Sequence, residues 1–169
     1  NADTITTSSG AILGAGNAST MKNRLINGAM VIDQRNSGSS VTPAHDGYTL
    51  DRYKWVLSQA SKLTSQQSST APPGFNKSIL ITSLAATTVS AGDYYSLMQS
   101  IEGFNFSDCD FGTINAKTIT LSFWVRSSLT GTFGGALRSE SVTRSYPFSY
   151  TISSANTWEQ KSITIAGDT

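Results

Sequence analysis

The chain reads as an all-β protein, a sandwich or closed barrel, and three features of its sequence predict this. Runs of strand length recur, among them KSILITSLA, KTITLSFWVRSS, RSYPFSYTISS and WEQKSITIAG, with Gly, Asn, Asp or Ser clusters between most of them. Helical periodicity is absent from every long window, apart from a turn expected near residues 90–95. Charged residues make up only 14% of the chain while apolar ones reach 38%. That balance fits a folded core under a Ser/Thr-clad surface rather than disorder.

Residues 1–20, NADTITTSSGAILGAGNAST, offer only Ile5, Ile12 and Leu13 as large apolar side chains, too few for a core. They read either as a flexible linker or as the end of an extended stem whose short strands bury apolar groups against sister chains. Residues 21–169 read as the β-sandwich domain. From Arg24, Ile26, Met30 and Ile32 alternate with Leu25, Ala29 and Val31. Apolar residues on both faces predict a central strand, with Gly28 at a bulge. In YTLDRYKWVLS, Tyr53, Trp55 and Leu57 share one face and predict a strand with that face toward the core.

Residues 58–78 are polar and carry Pro72-Pro73-Gly74, which predicts a loop with polyproline character. Strand runs then follow: KSILITSLA, DYYSLMQSIEGF, KTITLSFWVRSS, GTFGGALRSE, RSYPFSYTISS and WEQKSITIAG. Thr169 comes directly after the last run, so the fold is expected to continue beyond it, leaving the sandwich incomplete at the C-terminus.

Composition also narrows the function. A formal net charge of +1 gives no electrostatic grip on nucleic acid or on an anionic membrane. Cys109 is the only cysteine and His45 the only histidine, so neither a disulfide nor a Cys-based zinc site can form within one chain. His45 lies among turn formers, and no GxSxG, phosphate-binding glycine loop or HExxH frames a catalytic centre. A glycosidase would need two facing carboxylates, and Glu102, Glu140 and Glu159 all fall on strands or turns. The expected protein is non-catalytic and uses no cofactor.

Binding chemistry points elsewhere. On strand 118–126, Ile119, Leu121, Phe123 and Val125 face one way, and Thr118, Thr120, Ser122, Trp124 and Arg126 the other. An indole among hydroxyls beside a guanidinium suits a sugar, which stacks its C–H face on the ring while side chains bond its hydroxyls. Tyr94 with Tyr95, and Arg144 with Ser145 and Tyr146, offer similar mixtures. A ring placed as Trp124 is more often covered by a loop, a crossing chain or a neighbouring subunit than left open to ligand, and Trp55 and Trp158 read as core or strand-end packing. Asp51, Arg52 and Glu102 interrupt apolar strands, where a structural ion pair of Arg52 with either carboxylate is expected.

Two blocks of sequence carry a family resemblance. NRLINGAMVIDQRNSG followed by GYTLDRYKW is similar to the jelly-roll domains of bacteriophage tail-fibre and other virion appendage proteins, in which an Asn-Gly strand ending in Gln-Arg precedes a Tyr-Thr-x-Asp-Arg-Tyr strand. YYSLMQSIEG, TITLSFWVRSS and TWEQKSITIAGDT resemble strands of carbohydrate-binding jelly rolls. Together they cover about residues 21–169. The resemblance implies a jelly-roll sandwich on a virion, a homotrimer, and as partners other virion proteins and host cell-surface polysaccharide. It also implies that Asp108 and Asp110 are candidate ligands of a structural calcium, though two carboxylates fall short of the six to eight oxygens that ion takes. A purely structural virion module, whether adaptor, head fibre or decoration, and a secreted carbohydrate-binding module are the alternatives.

Overall fold

The computed structural model describes residues 5–6, 12–13, 22–141 and 143–169. Its strands are β1 (Ile5–Thr6), β2 (Ile12–Leu13), β3 (Tyr48–Leu50), β4 (Tyr53–Leu57), β5 (Leu63–Ser68), β6 (Ser78–Ser83), β7 (Tyr95–Met98), β8 (Ile119–Val125), β9 (Gly131–Arg138), β10 (Ser145–Ile152) and β11 (Glu159–Ile165). A short helix, Gly103–Phe106, runs into a 3-10 turn at Ser107–Cys109. The protein is therefore largely β, as expected, and its sheets are small. Among the described residues they are the antiparallel sets β3-β4-β7, β5-β6, β8-β11, β9-β10 and β1-β2. Two compact units divide the chain, Asn1–Asp108 and Cys109–Thr169. Within residues 1–20 only the β1–β2 pair is described, and the linker-or-stem expectation for the rest lies outside the described residues.

In the first unit β4 carries the core. Tyr53, Trp55 and Leu57 are buried and Lys54 and Val56 are half-buried, the alternation expected of them. Trp55 and Leu57 meet Leu63 of β5, with Ile79, Tyr95 and Leu97 packed around them. A buried indole must place its N–H, and the Thr49 hydroxyl accepts it at 3.0 Å. Thr49 Oγ1 also shares a hydrogen with Ser65 Oγ at 3.0 Å, so β3 and β5, strands of different sheets, are joined through two buried hydroxyls. Two residues of β3, from Tyr48 to Leu50, span one step of β4, and this bulge lets neighbouring Thr49 and Leu50 both turn inward.

Three expectations are corrected here. Residues 24–32 form no strand; Ile26, Asn27, Gly28 and Ala29 make a turn within irregular chain, and Asn27 and Met30 take left-handed φ angles of 57° and 56°. The Asn27 carboxamide closes that loop, accepting from Ile32 N at 2.9 Å and donating to the carbonyls of Ile32 at 2.9 Å and Asp51 at 3.0 Å. Gly28 sits in the turn instead of a strand bulge. YTLDRYKWVLS is two strands, since Asp51 and Arg52 make the turn of the β3–β4 hairpin, and Glu102 precedes the helix rather than lying in a strand. Finally, β5 occupies part of the segment expected to be a loop; its inward residues are Leu63 and Ser65, an apolar side chain and a hydroxyl.

The second unit follows the expected runs closely. Ile119 and Leu121 of β8 are half-buried while Thr120 and Ser122 are exposed, and Ile165 and Ile152 close the ends of β11 and β10. The β8–β11 and β9–β10 ribbons meet through Tyr150, whose ring lies edge-on to Phe123 at 5.0 Å and stacks on Phe133 at 6.0 Å. Burial raises the Tyr150 phenol above its usual range. Gly167 is required after β11, since a Cβ there would meet the Ala116 backbone at 2.5 Å.

Replacing Thr49 by Val leaves the Trp55 N–H without its acceptor and is expected to cost about 1–3 kcal/mol, with Ser65→Ala costing about 1 kcal/mol. Because the two hydroxyls share one bond, the double variant should lose less than the sum. Urea unfolding of the three variants, followed by tryptophan fluorescence, measures this.

Candidate functional site

Local loop chemistry builds a cleft of about 400 Å3 in the first unit, lined by Arg35, Tyr48, Asp51, Arg52, Ser100 and Glu102. The Asp33 carboxylate folds the turn before it, accepting from Asn36 N at 3.1 Å and Gly38 N at 2.7 Å. Asn36 in turn donates to the Thr49 carbonyl at 2.6 Å. This tethers the loop to β3 and places the Arg35 guanidinium 5.6 Å from the centroid of the Tyr48 ring. Tyr48 is 46% exposed, on the outward side of a strand whose next two residues are buried.

The floor of the cleft is the β3–β4 turn. Arg52 holds a φ of 75°, a conformation that ordinarily selects Gly or Asn, and its guanidinium is bound directly by the Glu102 carboxylate. The ion pair expected from the sequence therefore forms, and Glu102 rather than Asp51 is the partner. Arg52 holds the Glu102 carboxyl below its usual range. Asp51 instead accepts the Gln34 N–H at 2.8 Å. Arg35, Tyr48 and Ser100 escaped sequence reasoning because the loop tether and the chain reversal after β7 bring them in from distant positions.

The residues selected from the sequence fall on different elements and are divided between the two units. Tyr94 is exposed, whereas its neighbour Tyr95 starts β7, packs on the Trp55 cluster and buries its hydroxyl. Consecutive side chains of extended backbone point oppositely, so the two cannot form one platform. Trp124 of β8 is half-buried opposite Gln160, and Arg126 donates through Nε to the Asn156 carbonyl at 2.8 Å. Arg144 pairs with Asp168 at 3.2 Å, and Tyr146 is exposed on β10. Trp55 is a core residue and Trp158 half-buried just before β11, as expected. His45 does more than occupy a loop: its Nδ1 lies 2.8 Å from the Leu57 carbonyl and 3.1 Å from the Leu57 N–H.

A second surface is apolar. On β6, Leu80 and Ile81 are 44% and 46% exposed although they point to opposite faces, and Leu84 and Val89 follow at 51% and 63%. Among the described residues the outer edge of β6 pairs with no further strand. Ile81, Val89, Leu63 and Tyr95 help to line a groove of about 290 Å3, and the buried Tyr95 hydroxyl has no hydrogen-bond partner among the described residues. An orphaned buried hydroxyl costs about 1–3 kcal/mol.

Both candidate calcium ligands are held by cations. Asp108 binds Arg24 through both oxygens at 2.7 and 2.8 Å, and Asp110 pairs with Lys117 at 3.1 Å. Among the described residues no group of three or more His, Cys, Asp or Glu side chains is placed to hold a metal. Compared with protein-family models, with curated proteins and with solved structures, the chain matches none.

The Arg24 guanidinium holds the Asp108 carboxyl at about 2, against an ordinary 3.8. A depressed folded-state pKa stabilises the fold above the unfolded value, and the contribution fades as pH falls through the folded one. Arg24→Gln is therefore expected to lower the melting temperature at pH 7, with the deficit shrinking between about pH 4 and pH 2. Thermal melts of both proteins across that range check it. A residual deficit should remain, because Arg24 also binds the Asn105 carbonyl and lies 5.4 Å from the Phe106 ring centroid.

Proposed function

We propose that this chain is a non-catalytic jelly-roll module of a phage virion appendage that assembles as a homotrimer and touches host-surface glycan. The observation that carries the reading is the apolar edge at β6. Among the described residues, Leu80, Ile81, Leu84 and Val89 remain exposed beside a strand edge with no further partner, and Tyr95 keeps a buried hydroxyl that lacks a hydrogen-bond partner. Such an edge favours pairing with another chain over contact with water. The resemblance of residues 23–55 to tail-fibre domains supplies the kind of chain, sister copies of the same polypeptide on a virion.

Glycan contact rests on exposed rings in polar settings, Tyr48, Tyr94 and Tyr146. Each would bind weakly, and trimerisation multiplies weak contacts because a tethered second site meets its ligand at high effective concentration. A purely structural virion module is the second reading. It is favoured by Trp124, which is half-buried, and by Arg126 and Arg144, whose guanidinium groups are engaged within the chain.

Light scattering on the eluting protein tests assembly. Wild-type protein is expected at three times the chain mass, and Leu80→Asp with Ile81→Asp is expected to shift it to monomer while leaving its circular dichroism unchanged. A monomeric wild type would overturn the proposal. If glycan binding depends on avidity, the monomeric variant should also lose about 10²-fold or more in apparent affinity for host polysaccharide.

A further inference from the structure

We infer that the cleft at Tyr48 is a saccharide subsite selective for carboxylated sugars, with Arg35 as the residue that reads the carboxylate; the inference rests on the glycan-binding reading above. The chemistry follows from which charges in the cleft are already satisfied. Glu102 is bound by Arg52 and lies 3.4 Å from the Asn105 carboxamide, and Asp51 receives the Gln34 N–H. Arg35 differs: among the described residues its guanidinium has the Tyr48 ring as its only partner, which leaves its N–H donors available.

A planar fork of donors fixed on an aromatic ring matches a carboxylate, which accepts two parallel N–H bonds. The fork is already oriented, since Asp33 and Asn36 fix the loop that carries it, so little side-chain freedom is left to lose on binding. Around it the cleft offers what a sugar ring needs. The exposed Tyr48 ring presents an apolar edge to ring C–H groups, and the remaining lone pairs of Asp51 and Glu102, with the Ser100 hydroxyl, can bond ring hydroxyls. The same carboxylates disfavour a densely charged polyanion such as a nucleic acid, so the ligand expected is a single carboxylate held by Arg35 beside ring hydroxyls. The strain at Arg52 is consistent with this role, because its left-handed backbone holds the guanidinium on Glu102 at the floor of the cleft.

The test is an array of acidic glycans, bearing uronic or sialic acids, and neutral glycans, probed with the full chain. Each acidic hit is repeated with its carboxyl-reduced form. Acidic hits are expected, weakened by roughly tenfold or more on carboxyl reduction and equally by Arg35→Gln. Tyr48→Ala should abolish them, Arg35→Lys should restore them only in part, and Leu129→Ala, at an exposed position outside the cleft, should leave them intact. All three positions are exposed, and circular dichroism melts confirm folding. Hits confined to neutral glycans, or acidic hits that survive Arg35→Gln, would overturn the assignment of this cleft while leaving glycan binding standing. An array with no hits for the trimer would overturn both.

Discussion

A tryptophan buried among small sheets has to find an acceptor for its N–H, and the first unit is organised around that requirement. Trp55 is 2% exposed, and Thr49 is its acceptor. For Thr49 to turn inward beside Leu50, β3 must bulge against β4. For the Thr49 hydroxyl to be shared, Ser65 must be buried on β5. Each step uses a backbone irregularity or a polar residue inside the core, and each would be costly if its neighbour were missing. The result is a core of few aliphatic side chains, Leu57 and Leu63 around one indole with Ile79 and Leu97 packed against them, pinned by hydroxyls between two sheets.

Concentrating the core in this way has consequences outside it. The β3–β4 hairpin places Asp51 and Arg52 at its turn, and the bulge leaves Tyr48 on the outer side, so the charged cleft follows from the geometry that satisfies Trp55. Meanwhile β6 gives only Ile79 to the core and leaves Leu80 and Ile81 outside. A buried interior, a polar concavity and an apolar edge are the parts on which the proposed binding role rests.

Alternation made most of the fold legible. β4, β8, β10 and β11 were readable because apolar and polar residues largely alternate along them with a period of two, and β6 and β9 as runs of strand length between turn formers. Residues 24–32 show the opposite failure, since apolar residues on both faces imitate a central strand while Asn27, adopting a left-handed backbone and bonding across its own loop, prevents one. β5 was hidden because its buried partner is Ser65, whose hydroxyl leaves no hydrophobic mark. At the site, the pairing of Arg52 with Glu102 could be inferred from the cost of a lone charge among apolar residues. The cleft could not, since Arg35 and Ser100 reach it through contacts that no local pattern encodes. The separation of Tyr94 from Tyr95 was legible in principle from the same period of two.

We propose that the apolar β6 edge associates with a second chain, and amide hydrogen exchange at two protein concentrations tests that directly. Amides of β4 and of the β5–β6 ladder should be protected at both concentrations, while β6 amides on the outer edge, which face away from β5, should become protected only at the concentration where chains associate. Protection of those outer-edge amides that is equal at both concentrations, and as strong as that of β4, would contradict the account.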